Sequence, residues 1–231
     1  MKLAALQPSY LPWLGHLEQI MCADKFLILE NLQFSSNSWV NRNRILNNQT
    51  VQWLTIPVIK NGFQAINEVM IDNSKNWKRK HISSIQNSYE QHEISKRLIE
   101  LIADNNYITL LDYLKSINDF IYPLFNLQNK VEYKKLDKIN QDKNQRLIDL
   151  CLEYGANTYL TGQSANSYID LKLFESKGIN VIFQDYIPKP YKQNSKDFKP
   201  YLSIIDCLLN GYEPNLIIEN KFFNKSNSLY I

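Results

Sequence analysis

Leu3-Ala4-Ala5-Leu6-Gln7-Pro8-Ser9-Tyr10-Leu11-Pro12-Trp13-Leu14-Gly15-His16 opens the chain, and the periodic stretch Leu17 to Met21 follows it. A short apolar run, a loop punctuated by two prolines and then apolar residues at helical spacing read as a buried strand feeding a helix. α/β proteins place ligands at such junctions, because the first N–H groups of a helix lack intrahelical partners and attract anions. The same punctuation also describes any tight strand-to-helix connection in which Trp13 and Leu14 cap a core.

Outward from this segment, apolar runs bounded by turn residues predict further strands at Lys25 to Glu30, Val51 to Val58, Asn157 to Leu160 and Asn180 to Gln184. Helices near Trp13 to Ala23 and Ser167 to Ser176 complete two βαβ units. Such units need crossovers and therefore a mainly parallel, Rossmann-like α/β sheet, with the loops after Leu6 and Leu160 on one edge. Between the units, Trp77 to Tyr89, Ile94 to Ile102, Tyr107 to Phe125 and Gln141 to Tyr154 show helical spacing. The expectation is one α/β domain, residues 1–231, with a helical insertion at about 75–155 and a frayed end over Asn220 to Ile231.

A formal charge of +3 over 231 residues lacks the electrostatic footprint of a nucleic-acid binder. No charged start and apolar stretch mark a secretory signal, and no apolar run is long enough to insert into a membrane. Cys22, Cys151 and Cys207 are far apart in apolar helical patterns, which suits reduced core thiols rather than disulfides or metal ligands. The cytoplasm is the default compartment.

No Walker loop, nucleophile elbow, zinc helix or Gly-x-Gly-x-x-Gly signature is present. The candidates are local constellations. Gln7, Pro8, Tyr10, Gly15 and His16 belong to the opening loop, and a neutral His16 imidazole at the helix start could donate to a phosphate. Gly162 and Ser164, in Thr161-Gly162-Gln163-Ser164-Ala165, offer a second anion nest, or Ser164 or Ser167 serves as a helix N-cap. Asn41-Arg42-Asn43-Arg44 beside Trp39 pairs planar forks with a stacking surface, and Arg42 is the arginine expected to face a ligand. Trp77, Lys80, His81 and Ser84 share one helix face, which is either a site or a solvated basic stripe. Tyr168 and Asp170 are polar groups within reach of a sugar, and Asp185, at the end of a strand, is the best carboxylate for a general base. Tyr191-Lys192-Gln193 and Asp206 are weaker candidates, and the aspartate reads as serving helix or loop structure.

Gln7-Pro8-Ser9-Tyr10-Leu11-Pro12-Trp13-Leu14-Gly15 resembles the opening of the WbqC-like proteins, found among bacterial genes for O-antigen, the lipopolysaccharide side chain, and other surface polysaccharides. The resemblance continues through Gln33-Phe34-Ser35, Trp39 to Ile45, Trp53 to Val58 and Trp77 to His81. It resumes at Tyr159 to Ala165, Tyr168 to Asp170, Phe183-Gln184-Asp185, Tyr191 to Gln193 and Leu202 to Asp206. It implies work on a nucleotide-linked sugar, brings Gln33 into the candidate site and tips His81 towards function. Trp13-Leu14-Gly15-His16 is also similar to the His-x-Gly-His element of nucleotidyl transferases and class I aminoacyl-tRNA synthetases, with Trp13 in place of its first histidine. That likeness implies ATP, with or without Mg2+, and transfer of a small carboxylic or amino acid to an amino sugar, with His81 or Asp185 taking the proton. Charge stabilisation alone can drive adenylation, so the lack of a nucleophile is no obstacle. A non-catalytic nucleotide-sugar-binding or assembly protein would need the same loops and no base. A homodimer is compatible with either.

Overall fold

A computed structural model describes residues 1–137, 142–211, 222–224 and 229–230. Strand β1 (Lys2–Leu6) leads through helix α1 (Leu14–Cys22) to β2 (Lys25–Leu29). Two small antiparallel pairs follow: β3 (Arg42–Asn47) with β4 (Thr50–Thr55), and β5 (Val58–Ile59) with β6 (Met70–Ile71). Helices α2 (Trp77–Ser88), α3 (Glu93–Ala103) and α4 (Leu110–Ile121) lead to β7 (Val131–Lys134). The chain then alternates: α5 (Lys143–Glu153), β8 (Thr158–Thr161), α6 (Leu171–Glu175), β9 (Asn180–Gln184) and α7 (Ile204–Leu209). Strands β10 (Phe222–Asn224) and β11 (Leu229–Tyr230) finish it.

The large sheet runs β11-β10-β9-β8-β1-β2-β7. From β9 to β7 every pairing is parallel, with registers such as Leu3↔Tyr159 and Ala5↔Leu27. β10 and β11 add antiparallel. They fall in the segment expected to fray, the rest of which lies outside the described residues.

Side-chain alternation along the strands builds two cores. Ala4, Phe26, Ile28, Leu160 and Ile182 face one side and pack against α1, α4 and the β3–β4 hairpin. Leu3, Ala5, Leu27, Tyr159, Val181 and Phe183 face the other, against Leu147, Ile148 and Cys151 of α5 and Phe174 of α6. A sheet buried on both faces explains why its strands read as continuous apolar runs rather than alternating ones. Because β2 and β8 flank β1, successive crossovers leave β1 in opposite directions, and the order reverses between β1 and β8. At the carboxyl ends of the strands this reversal opens a crevice.

The structure departs from the sequence reading in four places. The strand expected over Val51 to Val58 is two, because Pro57 has no N–H to donate and β4 pairs with β3 rather than joining the sheet. Val131-Glu132-Tyr133-Lys134, too short and too polar to read as a strand, is the sheet edge beside β2. The insertion expected at about 75–155 is therefore shorter: its helical part is α2 to α4, and α5 belongs to the crossover from β7 to β8. Gln141, the first residue of the last expected helix, lies outside the described residues. The helix expected over Ser167 to Ser176 is a 3-10 turn (Gln163–Ser167) followed by α6, whose N-cap is Asp170 rather than Ser164 or Ser167: its carboxylate accepts from Leu173 N at 3.2 Å.

Candidate functional site

The crevice at the β1/β8 reversal is a cleft of about 640 Å³. Its floor is the carboxyl end of β1 with His16 of α1, and Gln7, Pro8 and Ser9 come from the opening loop. Trp39, Gln33, Lys143, Arg146, Ser164 and Tyr168 line it as well. The two loops expected to lie side by side do so. Among the described residues no carboxylate lines the cleft, whereas Lys143 and Arg146 both do. The Lys143 ammonium sits 5.2 Å from the centre of the Tyr168 ring. These two cations in the described lining suit an anion.

The opening loop is held rigid from behind. Leu11 takes a left-handed backbone (φ 46°) with its side chain fully buried, a conformation that costs a non-glycine residue roughly 1–2 kcal/mol. Its carbonyl accepts from Asn43 Nδ2 at 2.6 Å and from Ser203 Oγ at 2.8 Å, and Asn43 Nδ2 also reaches the Tyr10 carbonyl at 3.2 Å. Tyr10 N and Ser9 Oγ donate to the Trp39 carbonyl at 3.0 and 3.2 Å, and Gln7 Nε2 donates to the Gln33 carbonyl at 3.2 Å. Four residues from elsewhere in the sequence, Gln33, Trp39, Asn43 and Ser203, thus converge on one loop, which presents Gln7 and Ser9 to the cleft in a set geometry.

Several residues expected to bind a ligand are part of this scaffold instead. Tyr10 is fully buried with its OH 3.0 Å from His81 Nδ1, and His81 is packed edge-on against Trp77. Burial holds the His81 imidazole down to about 4, so it is neutral at physiological pH and sealed from solvent. Asn41 donates to the Ile56 carbonyl at 3.0 Å inside the protein. Gly15 is there for packing: a Cβ would lie 2.2 Å from the Trp13 indole, which covers the first turn of α1. The indole stands edge-on to Tyr186 at 5.1 Å. Gly162 is spared a contact too, since a Cβ there would meet Gln19 Nε2 at 3.3 Å.

His16 does line the cleft, yet it is 4 % exposed, and burial lowers its pKa to about 4. Its Nε2 lies 3.3 Å from Tyr122 OH. Asp185 is half-buried at the end of β9 and is not among the residues lining the cleft, and Asp170 is an N-cap whose N–H donates to Asn144 Oδ1 at 2.9 Å. Lys80 is solvent-exposed on α2, away from the cleft lining. Arg42, expected to face a ligand, shares the outer face of the hairpin with Arg44, two residues on in β3, and neither lines the cleft. The structure thus brings Gln7, Pro8, His16, Gln33, Trp39, Ser164 and Tyr168 together and leaves Tyr10, Gly15, Asn41, Arg42, Lys80, His81, Gly162, Asp170 and Asp185 outside the lining.

Lys143 and Arg146 went unread in the sequence. They occupy the first turn of α5, which follows β7, and strand-to-helix junctions in a parallel sheet all open on the same edge. Recognising Val131 to Lys134 as a strand would have placed them there. The structural role expected of Asp206 is visible: Tyr89, Tyr191 and Gln193 all donate to its carboxylate, at 2.7, 2.6 and 2.8 Å.

Among the described residues no group of three or more His, Cys, Asp or Glu could hold a metal, and no helix is long and apolar enough to cross a membrane. A curated relative, the uncharacterized protein Rv1507c of Mycobacterium tuberculosis (strain ATCC 25618 / H37Rv), is 33 % identical over 220 residues, covering 90 % of this chain and 93 % of its own. Of solved structures, the crystal structure of SeMet PaaA aligns with all of this chain and 62 % of its own at 10 % identity. Its TM-score of 0.29 is too low to carry an argument. The model of the WbqC-like protein family matches residues 7–216, from the opening loop to beyond α7, and the chain belongs to that family.

Proposed function

We propose that the chain binds a nucleotide or nucleotide-linked sugar in the cleft at the β1/β8 reversal, as a component of bacterial surface-polysaccharide synthesis. The observation that carries this reading is that Lys143 and Arg146 line the same cleft as the Trp39 indole, with no carboxylate among the described lining residues. A phosphorylated ligand would set its phosphates on the α5 side and its base or sugar against Trp39, with Ser9 and Ser164 hydroxyls at hand. The volume, about 640 Å³, is in the range of small-molecule sites. An adenine nucleotide fits the same donor set.

Acyl or aminoacyl transfer to an amino sugar finds less support in the geometry. Such an acceptor brings an ammonium, and the cleft lining offers no carboxylate to receive it. His81 is sealed behind the loop, Asp185 is not in the lining, and His16 is held too acidic to be an efficient base near neutrality. Recognition of the nucleotide sugar, rather than its acylation, is the function that the side chains favour.

Calorimetric titration of ATP, CTP and UDP-, dTDP- and GDP-sugars, with the parent nucleosides as controls, tests this. Phosphorylated ligands are expected to bind and nucleosides not. Lys143→Ala or Arg146→Ala should each raise the dissociation constant about tenfold or more, the effect of losing a charge-assisted contact of about 1.5–3 kcal/mol. Lys80→Ala should change nothing. Equal binding of nucleosides and nucleotides, or unchanged affinity in both α5 variants, would remove the phosphate from the cleft. Release of AMP with any amino acid and amino sugar would restore the transferase.

A further inference from the structure

The outer face of the β3–β4 hairpin carries an ordered ladder of rings and guanidiniums. Trp39 and Trp53 are each 41 % exposed, with ring centres 5.7 Å apart. The Arg44 guanidinium lies 5.6 Å from one indole and 5.5 Å from the other, and that of Arg42 sits 4.1 Å over Trp53. The cross-strand register Arg44↔Trp53, with Arg42 two residues away on the same face, builds this arrangement directly from the sequence.

Stacking immobilises a guanidinium by its face and leaves its N–H donors pointing outward in the ring plane. Arg44 spends one of them on the Tyr201 carbonyl at 2.9 Å. Arg42 makes no hydrogen bond or ion pair among the described residues, and the Nε atoms of both arginines are buried without a partner. Among the described residues no acidic side chain bridges to either. Two guanidiniums without an acidic partner among the described residues, that of Arg42 held over an indole and making no side-chain hydrogen bond, are therefore arranged beside exposed aromatic surface.

We propose that this face is a second binding site, for a saccharide chain that carries a carboxylate. The Arg42 fork takes the carboxylate in a bidentate contact, and the exposed indole edges and faces of Trp39 and Trp53 take the apolar C–H side of the sugar rings. Charge complementarity selects an acidic saccharide over a neutral one. Exposed indole surface beside a guanidinium suits sugar rings, whereas a peptide's apolar anchors need a recess. Trp39 also lines the cleft, so the two sites adjoin. The inference nevertheless stands on the hairpin alone and not on what fills the cleft.

A disaccharide containing glucuronic acid and its neutral glucose counterpart, titrated by calorimetry against the full chain, provide the test. The acidic disaccharide is expected to bind at least tenfold more tightly than the neutral one. Arg42→Lys, which keeps the charge and loses the fork, should abolish that preference, as should Trp53→Ala, while nucleotide-sugar binding stays as in the parent. Lys143→Ala should leave the disaccharide affinity unchanged. If Trp53→Ala lowers the melting temperature, Arg42→Lys decides alone, because it leaves both indoles in place. Equal affinity for the two disaccharides, survival of the preference in Arg42→Lys, or its loss in Lys143→Ala would each overturn the proposal.

Discussion

Replacing Gly15 by alanine tests whether the Trp13 indole really belongs across the start of α1. On an exposed helix the change would stabilise by roughly 1 kcal/mol, since alanine restricts the unfolded backbone and suits a helix. Here the added Cβ would meet Trp13 ring atoms at 2.2, 2.4 and 2.8 Å, distances that no rotamer adjustment of a methyl can relieve. The indole must swing away, giving up its edge-on contact with Tyr186 at 5.1 Å and its tilted contact with Tyr201 at 5.8 Å. Overpacking of this kind costs about 1–3 kcal/mol, and a lost aromatic pair adds roughly 0.5–1.5 kcal/mol. After the helical gain is set against these, Gly15→Ala should destabilise by about 1–3 kcal/mol and lower the melting temperature by roughly 2–10 °C in a chain of this size. Urea unfolding followed by tryptophan fluorescence reads the stability, and a shifted native emission maximum reads the displaced indole. Because Trp13 lines the cleft, ligand affinity should change as well. A variant as stable as the parent, or more so, with unchanged native emission would refute the packing and return Gly15 to the ligand.

The buried histidines make stability depend on pH. His16 and His81 are both held to about 4, below the unfolded value near 6.5, so the folded state resists protons that the unfolded state accepts. Their contribution is complete above pH 6.5 and is lost as pH falls from there towards 4, up to about 3 kcal/mol for each. Urea midpoints at pH 7.5 and 4.5 should show it, and imidazole resonances titrating near 6.5 would deny it. Asp206→Ala leaves two tyrosine hydroxyls and the Gln193 amide without their acceptor, so it should cost more than Tyr89→Phe or Tyr191→Phe, which each remove one bond of about 0.5–1.5 kcal/mol. Equal unfolding free energies for the three variants would mean that the carboxylate is not the hub.

The parallel core was legible because buried strands such as β1 and β9 are continuous apolar runs between turn residues, and periodicity reports burial on both faces well. β7 was not, since an edge strand of four half-buried residues, Val131-Glu132-Tyr133-Lys134, has no apolar pattern to show. That omission hid Lys143 and Arg146, whose place in the cleft depends on which strand precedes them. The motif residues around Tyr10, Asn43 and His81 raised a different difficulty. A polar side chain that clamps a loop from inside has the same composition as one that holds a ligand, and only burial tells them apart: Asn43 is 0 % exposed and His81 4 %.

The hydrogen bonds that close the opening loop also order events in time. Ser203 N donates to the Arg44 carbonyl, Ile204 N to the Pro12 carbonyl, and Ser203 Oγ to the Leu11 carbonyl. β1, the first strand made, finds its neighbour β2 almost at once but waits for Thr158 to Thr161 before its other edge is covered. In a chain emerging from the ribosome the partners of Gln7 and Ser9, Gln33 and Trp39, follow early, but the Leu11–Pro12 end of the loop is closed only when residues 203 and 204 arrive. Contacts of such long sequence separation form late and slowly. Binding competence is consequently among the last properties that this chain acquires, and an interrupted product ending before Ser203 would hold most of the sheet yet lack a finished cleft.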